Sequence, residues 1–157
     1  MVEFTHIADD RAHMVDVSAK PDVVRTAIAA GRIYLRPETL EAIRSGTAVK
    51  GNVLATARVA ATLAVKDTSR IIPMCHPLAL GGVEVEFEET GEDAIEARVS
   101  VRSYGKTGVE MEALTGVSAA LLTVWDMVKS AEKDEDGQYP VTRIEGIRVI
   151  KKTKGTV

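Results

Sequence analysis

An α+β fold, with an antiparallel sheet covered by helices in a single domain, is what this chain's pattern predicts. Residues 82–89 and 94–104 both alternate apolar and polar, and Thr90, Gly91, Glu92 and Asp93 between them make a hairpin turn. Residues 109–133 carry Met111, Leu114, Ser118, Leu121, Trp125 and Val128 at three-and-four spacing, the mark of a helix. The chain has 157 residues, one domain at about 150 residues each, and 45% of them are hydrophobic, enough for a real core. No internal repeat is visible.

The elements follow in order. Residues 1–12, with Asp9, Asp10 and Arg11, read as a mobile polar arm. Residues 13–17 read as a short strand, and residues 23–35, β-branched at both ends, as a member of a strand pair. Pro37 and Glu38 open a helix that Ser45 and Gly46 close. Asn52 is a good cap for a helix over 53–66, because its side-chain oxygen can take an orphan backbone N–H. That helix is apolar nearly all round, from Val53 through Ala57, Val59, Ala61 and Leu63 to Val65, so it is expected to be buried. Pro73 and Pro77 each remove a backbone donor and bracket an ordered, non-helical loop.

In the hairpin, Val83, Val85, Phe87, Ile95, Ala97, Val99 and Val101 share a dry face. Glu84, Glu86, Glu88, Glu96, Arg98 and Arg102 share a wet one, as antiparallel sheets allow. In the long helix, Ala113, Gly116, Ser118, Ala119 and Ala120 are small enough for close helix–helix approach, and residues 133–137 end it. A final strand is expected over 140–150 and a flexible basic tail over 151–157, leaving 13–150 as the one catalytic-size domain.

Composition excludes several functions. With 20 Lys and Arg against 23 Asp and Glu, the net charge of −3 argues against nucleic acid or an anionic membrane. Aromatic residues are only 4%, too few for stacking on single strands. The single cysteine, Cys75, rules out an intrachain disulfide and any multi-cysteine zinc site. His6, His13 and His76 follow no metalloprotease spacing, so no protein-held metal is expected. No basic-plus-apolar leader opens the sequence and no apolar run reaches about 18 residues, so the expectation is a soluble cytoplasmic protein.

Gly105-Lys106-Thr107-Gly108 invites a phosphate-loop reading, but Ser100 stands where that motif needs its first glycine. Such a turn before a helix can still hold an anion through backbone N–H groups, though an ordinary strand-to-helix turn fits the pattern better. Cys75-His76 sits in the proline-bracketed loop. His76 divides evenly between acid/base work and a structural hydrogen bond, while a Cys–His dyad is disfavoured because adjacent side chains point apart. Glu110 and Glu112 lie in the first turn of the long helix, where carboxylates complement the dipole. Glu110 falls near the apolar stripe, which requires a cation or a proton. Asp126 and Lys129, three apart, form at least a surface ion pair. Lys50, just before a helix N-terminus, is electrostatically misplaced unless an anion lies nearby. Glu112 and Asp126 stand roughly 21 Å apart along one straight helix, so one small site can use both only if two copies of the helix pair antiparallel in a symmetric dimer.

Four blocks together resemble the molybdenum cofactor biosynthesis protein C family, the cyclic pyranopterin monophosphate synthases. They are Lys50-Gly51-Asn52-Val53-Leu54-Ala55-Thr56-Ala57-Arg58, Ile72-Pro73-Met74-Cys75-His76-Pro77-Leu78, Gly105-Lys106-Thr107-Gly108-Val109-Glu110-Met111-Glu112-Ala113-Leu114-Thr115, and Asp126-Met127-Val128-Lys129. The resemblance runs from His13 to about Lys133. It implies a ferredoxin-like α+β sandwich and a lyase of the phosphorus–oxygen type. Such an enzyme converts 3′,8-cyclo-7,8-dihydro-GTP, the product of an upstream radical cyclase, to cyclic pyranopterin monophosphate and pyrophosphate. It implies a hexamer built as a trimer of dimers with sites between subunits, and no protein-bound cofactor, with Mg²⁺ allowed as a companion of the triphosphate. Asp126 and Lys129 are implied as catalytic. Lys50, Cys75, His76, Lys106, Glu110, Met111 and Glu112 are implied as substrate-binding: Lys50, His76 and Lys106 toward the triphosphate, Glu110 or Glu112 toward the guanine-like edge. Lys129 would act as a base if burial or a cation lowered its pKa. Asn52 departs from the family's frequent Asp, and the tail matches only partly, which leaves Lys151, Lys152 and Lys154 open as substrate contacts. The competing readings are a non-catalytic oligomeric nucleotide-binding module of the same fold and a small interaction domain, for which the Cys75-His76 loop has no use.

Overall fold

The structure, a computed structural model, describes residues 5–8 and 10–155. Its elements are strands β1 (Ile7–Ala8), β2 (Arg11–Ala12) and β3 (Val23–Tyr34), helices α1 (Pro37–Arg44) and α2 (Val53–Ile71), strands β4 (Leu80–Thr90) and β5 (Ala94–Gly105), helix α3 (Glu110–Glu132) and strand β6 (Arg143–Gly155). The main sheet has the order β4-β5-β3-β6 and is antiparallel throughout. A β-α-β-β-α-β chain in that order is the ferredoxin-like arrangement expected above.

The helices pack on one face because that is where each strand puts its small and branched residues. Ala27, Ala29 and Ile33 of β3 and Ala97, Val99 and Val101 of β5 meet Ala57, Ala61 and Val65 of α2 and Ala113, Val117, Leu121 and Val124 of α3. Two glycines set how close the layers come. A Cβ on Gly116 would fall 2.7 Å from Val65 Cγ2 and 3.0 Å from Val99 Cγ1, and one on Gly31 would fall 2.8 Å from Ile147 Cγ1. Ala113, Gly116 and Ala120 of α3 thus serve contacts within the chain. Among the described residues α3 is the one helix long and apolar enough to cross a membrane. Half of that stretch is buried in the fold, as a core helix would be.

Fully buried Glu132 fastens the end of α3. Its carboxylate accepts from the Arg36 N–H, at 3.1 and 3.3 Å, and from the Thr142 hydroxyl at 2.5 Å. One side chain therefore joins the last turn of α3 to the entry of α1 and the approach to β6.

Five expectations change. Residues 13–17 form no strand; they run as irregular chain after the β1–β2 turn, where the His13 N–H donates to the His6 carbonyl. The arm expected over 1–12 contains that small hairpin, turned through Asp10 at φ 58°, while residues 1–4 and 9 lie outside the described set. Helix α2 continues past Lys66 to Ile71, since Thr68 is buried and its hydroxyl donates to the Ala64 carbonyl. It is also not buried all round. Only the stripe Val53, Ala57, Ala61, Val65 and Thr68 faces inward, while Val59 is 60% and Leu63 55% exposed. Lastly, the expected tail is strand as far as Gly155, paired with β3 from Val24↔Gly155 through Ala27↔Lys152. The second edge of β3 has backbone donors and acceptors to satisfy, and lysine stems can lie along a sheet with their ammonium groups in water. Residues 156 and 157 lie outside the described set.

Candidate functional site

The candidate residues gather at the two ends of α3. At its N-terminal end lies a cleft of about 350 Å³. Glu110, Met111 and Glu112 line it from the helix and Thr107 and Gly108 from the turn before it; Met74, Cys75 and His76 of the proline-bracketed loop form a second wall. The segment holding His6, Val15, Val17 and Lys20 forms the third.

Three acidic or thiol groups here differ in charge for identifiable reasons. Glu112 is 4% exposed and forms no ion pair among the described residues; burial pushes its carboxyl up, and the nearby Glu110 carboxylate adds to this. Cys75 is also pushed up, first by burial and then by Glu112, so the thiolate-nucleophile reading has no support. Burial acts the same way on Glu110, but the Lys152 ammonium at 2.8 Å, aided by Arg25, holds it below the usual carboxylate range. Lys152 stands opposite Ala27 on the helix side of the sheet, so of the three tail lysines it is the one paired with a candidate residue. Gly108 leaves room for the Glu110 carboxylate in this pair: a Cβ there would fall 1.9 Å from Glu110 Oε2.

The Gly105–Gly108 turn is braced from below. Arg25 donates from Nε to the Gly105 carbonyl and from Nη2 to the Lys106 carbonyl, both at 2.9 Å. Lys106 does not line the cleft. Its ammonium donates to the Lys20 carbonyl at 2.7 Å and lies 3.9 Å from Asp22, clasping the segment that forms the third wall. Asp16 lies on that same segment. The Ser18 N–H donates to it at 2.8 Å, and Ser18, with a smaller effect from His76, keeps its carboxyl below the ordinary value.

At the other end of α3, three residues meet. Lys129 Nζ is 2.6 Å from Asp126 Oδ1, while Lys50 Nζ is 3.2 Å from Asp126 Oδ2 and 2.9 Å from the Asp126 carbonyl. The anion that Lys50 required is therefore Asp126. Two ammonium groups, Lys129 first, hold Asp126 low, and Asp126 in turn raises Lys129. The condition for Lys129 to act as a base, a lowered pKa, is not met, because its nearest charged neighbour is a carboxylate and the cluster is open to water. Lys129 is an ammonium donor next to a carboxylate acceptor.

Every predicted residue except Lys106 thus falls in one of two clusters, which the fourteen residues from Glu112 to Asp126 hold roughly 21 Å apart. The sequence reading missed Asp16, His6, Lys20 and Arg25, and left Lys152 open beside Lys151 and Lys154. Asp16 and Lys20 lie in a segment without periodicity. Arg25 is a charge in a strand, which pattern alone assigns to solvent. Among the described residues no group of three or more His, Cys, Asp and Glu is placed to hold a metal ion.

A model described as the MoaC family matches residues 14–155. The chain is 77% identical over 155 residues to a protein of Methanoregula boonei described as a probable cyclic pyranopterin monophosphate synthase, with 99% of each chain covered. Proteins with the same description from Methanocorpusculum labreanum and Thermococcus kodakarensis are 68% and 59% identical, again over 99% of both chains.

Proposed function

The chain belongs to the MoaC family, and on that premise we propose the course of its reaction and the roles of its residues. Its activity is that of a cyclic pyranopterin monophosphate synthase in molybdenum cofactor biosynthesis, an enzyme acting on a GTP-derived substrate. The substrate is 3′,8-cyclo-7,8-dihydro-GTP, supplied by a radical cyclase, and the products are the cyclic monophosphate and pyrophosphate. A ribose-derived hydroxyl attacks the α-phosphorus, the new P–O bond closes the cyclic phosphate, and the bond to the β-phosphate breaks.

The observation that carries the assignment is the Lys50–Asp126–Lys129 cluster, a carboxylate held between two ammonium groups at 2.6 and 3.2 Å. Such a pair can accept a proton at Asp126 and deliver one from Lys129 as the purine-derived ring opens and the pterin closes. Lys50 and His76 neutralise the triphosphate and the departing pyrophosphate, with Mg²⁺ arriving, if at all, on the substrate. The carboxyl of Glu112, pushed toward its neutral form by burial, can donate as well as accept at the guanine-like edge, whereas Glu110 accepts only. Met111 lies against the same ring system. Lys106 acts on the triphosphate through the turn it belongs to, its own ammonium being engaged at Lys20.

Both clusters serve one substrate if α3 pairs antiparallel with its copy, each site taking Asp126 and Lys129 from one subunit and Glu110 and Glu112 from the other. A hexamer arranged as a trimer of dimers satisfies this, and the reaction belongs in the cytoplasm. Lys129→Ala and Asp126→Ala are each expected to abolish product formation in a folded protein; near-normal turnover in either refutes the roles given to them. Glu112→Ala, which removes the group that meets the guanine-like edge, is expected to be inactive; mixing it with Lys129→Ala should restore part of the activity, and no restoration after exchange of subunits refutes the shared site.

A further inference from the structure

Trp125, Lys129 and Lys133 stand four residues apart at the end of α3, on one ridge of the helix. Tyr139 returns over this ridge. Its ring meets Trp125 edge to face, with centroids 5.2 Å apart and planes at 66°, and its centroid lies 6.0 Å from Lys133 Nζ. The ring therefore stands over the ridge that carries Lys129, between Trp125 one turn before it and Lys133 one turn after.

The loop carrying Tyr139 is tightly made. Asp134 Oδ1 accepts from the N–H groups of Asp136 at 3.0 Å and Gln138 at 2.8 Å. The Asp134 N–H donates to the Gln138 carbonyl at 2.9 Å, and that of Gly137, at φ 75°, donates to the Asp134 carbonyl at 3.0 Å. The ring is therefore delivered to α3 by a preset turn.

We propose that Tyr139 is a positioning residue for Lys129, its ring forming the outer wall that keeps the lysine turned toward Asp126. An exposed three-residue ion pair is too weak in water to hold a flexible lysine in one orientation. The Lys129–Asp126 contact at 2.6 Å therefore calls for a second constraint, and the ring supplies it. This inference rests on the role given to Lys129 in the reaction.

Four variants of the full chain test it: Tyr139→Ala, Tyr139→Phe, Asp134→Ala and Lys129→Ala, each assayed for kcat, KM and Tm. Tyr139→Ala is expected to lower kcat about tenfold, with KM changed less than about twofold. Tyr139→Phe keeps the ring and should restore most of that loss, and Asp134→Ala, which frees the loop, should fall on the same side as Tyr139→Ala. Unchanged kcat in Tyr139→Ala alongside an inactive Lys129→Ala overturns the positioning role alone, whereas an active Lys129→Ala overturns the reading beneath it. The positioning role also fails if Tyr139→Phe is as slow as Tyr139→Ala, or if the whole loss follows the unfolded fraction.

Discussion

Replacing Glu132 with alanine removes a fully buried carboxylate from between the Arg36 N–H and the Thr142 hydroxyl. Hydrogen bonds to a charged group contribute about 1.5–3 kcal/mol each, and a buried donor left without a partner costs the full desolvation of that group. Two donors are stranded and a side-chain-sized void opens, so Glu132→Ala should cost about 4 kcal/mol. That is a large share of the roughly 5–15 kcal/mol that holds a domain together. At about 2–4 °C per kcal/mol for a chain of this size, Tm should fall by roughly 8–16 °C in scanning calorimetry. Glu132→Gln keeps an oxygen for the Arg36 N–H and should lose less than half as much. A drop below about 1 kcal/mol for Glu132→Ala would mean that water satisfies both donors, and that the end of α3 is held by its apolar contacts instead.

Gly108→Ala should leave stability within about 1 kcal/mol, because the atom in the way is the mobile end of Glu110, yet it should break the Glu110–Lys152 contact and raise KM several-fold in steady-state kinetics. Burial raises the folded-state pKa of Glu112, so its contribution to stability is fully present below the unfolded value of about 4.3 and is lost as pH rises through the folded one. Glu112→Gln should therefore gain stability over wild type as pH rises above about 4.3 in urea titrations; a pH-independent difference refutes the burial argument. Cys75, its thiol pushed up by burial, should react with iodoacetamide at about pH 8 roughly tenfold more slowly in the folded protein than in urea, and equal rates would count against its protected position.

Most of the sheet was legible from the sequence because its strands follow a period of two over long stretches, with Val83, Val85 and Phe87 opposed to Glu84, Glu86 and Glu88. The long helix was legible for the corresponding reason. Lys151 to Gly155 escaped because strand pairing is a property of backbone, and three lysines at the end of the last strand carry no apolar signal to advertise it. Helix α2 appeared fully buried because alanine counts as apolar wherever it points; only the packing reveals that Ala57 and Ala61 face inward while Val59 and Leu63 do not. At the site, spacing along α3 gave the separation of the two clusters. The sign of the shift at Lys129 was illegible, since it depends on Asp126 lying between two lysines, one of them 76 residues away. Arg25 and Lys106 illustrate the same limit, for what they hold is a carbonyl, and no side-chain pattern records a carbonyl.

The central position of β3 has a consequence for how the chain is made. This strand leaves the ribosome well before either of its neighbours: Ala94 faces Tyr34 on one side and Arg143 faces it on the other, roughly 60 and 110 residues further on. Until β5 emerges β3 carries two unpaired edges and lacks the α3 layer over its Ala27, Ala29 and Ile33, and until β6 emerges it still carries one. Low local contact of this kind slows folding and exposes the nascent chain to wrong partners. A growing chain that has just released α3 already holds Asp126 and Lys50 but still lacks the lysine that will meet Glu110. Translation speed over the last strand therefore sets how long a half-assembled reaction centre, open along one edge of its sheet, exists in the cell.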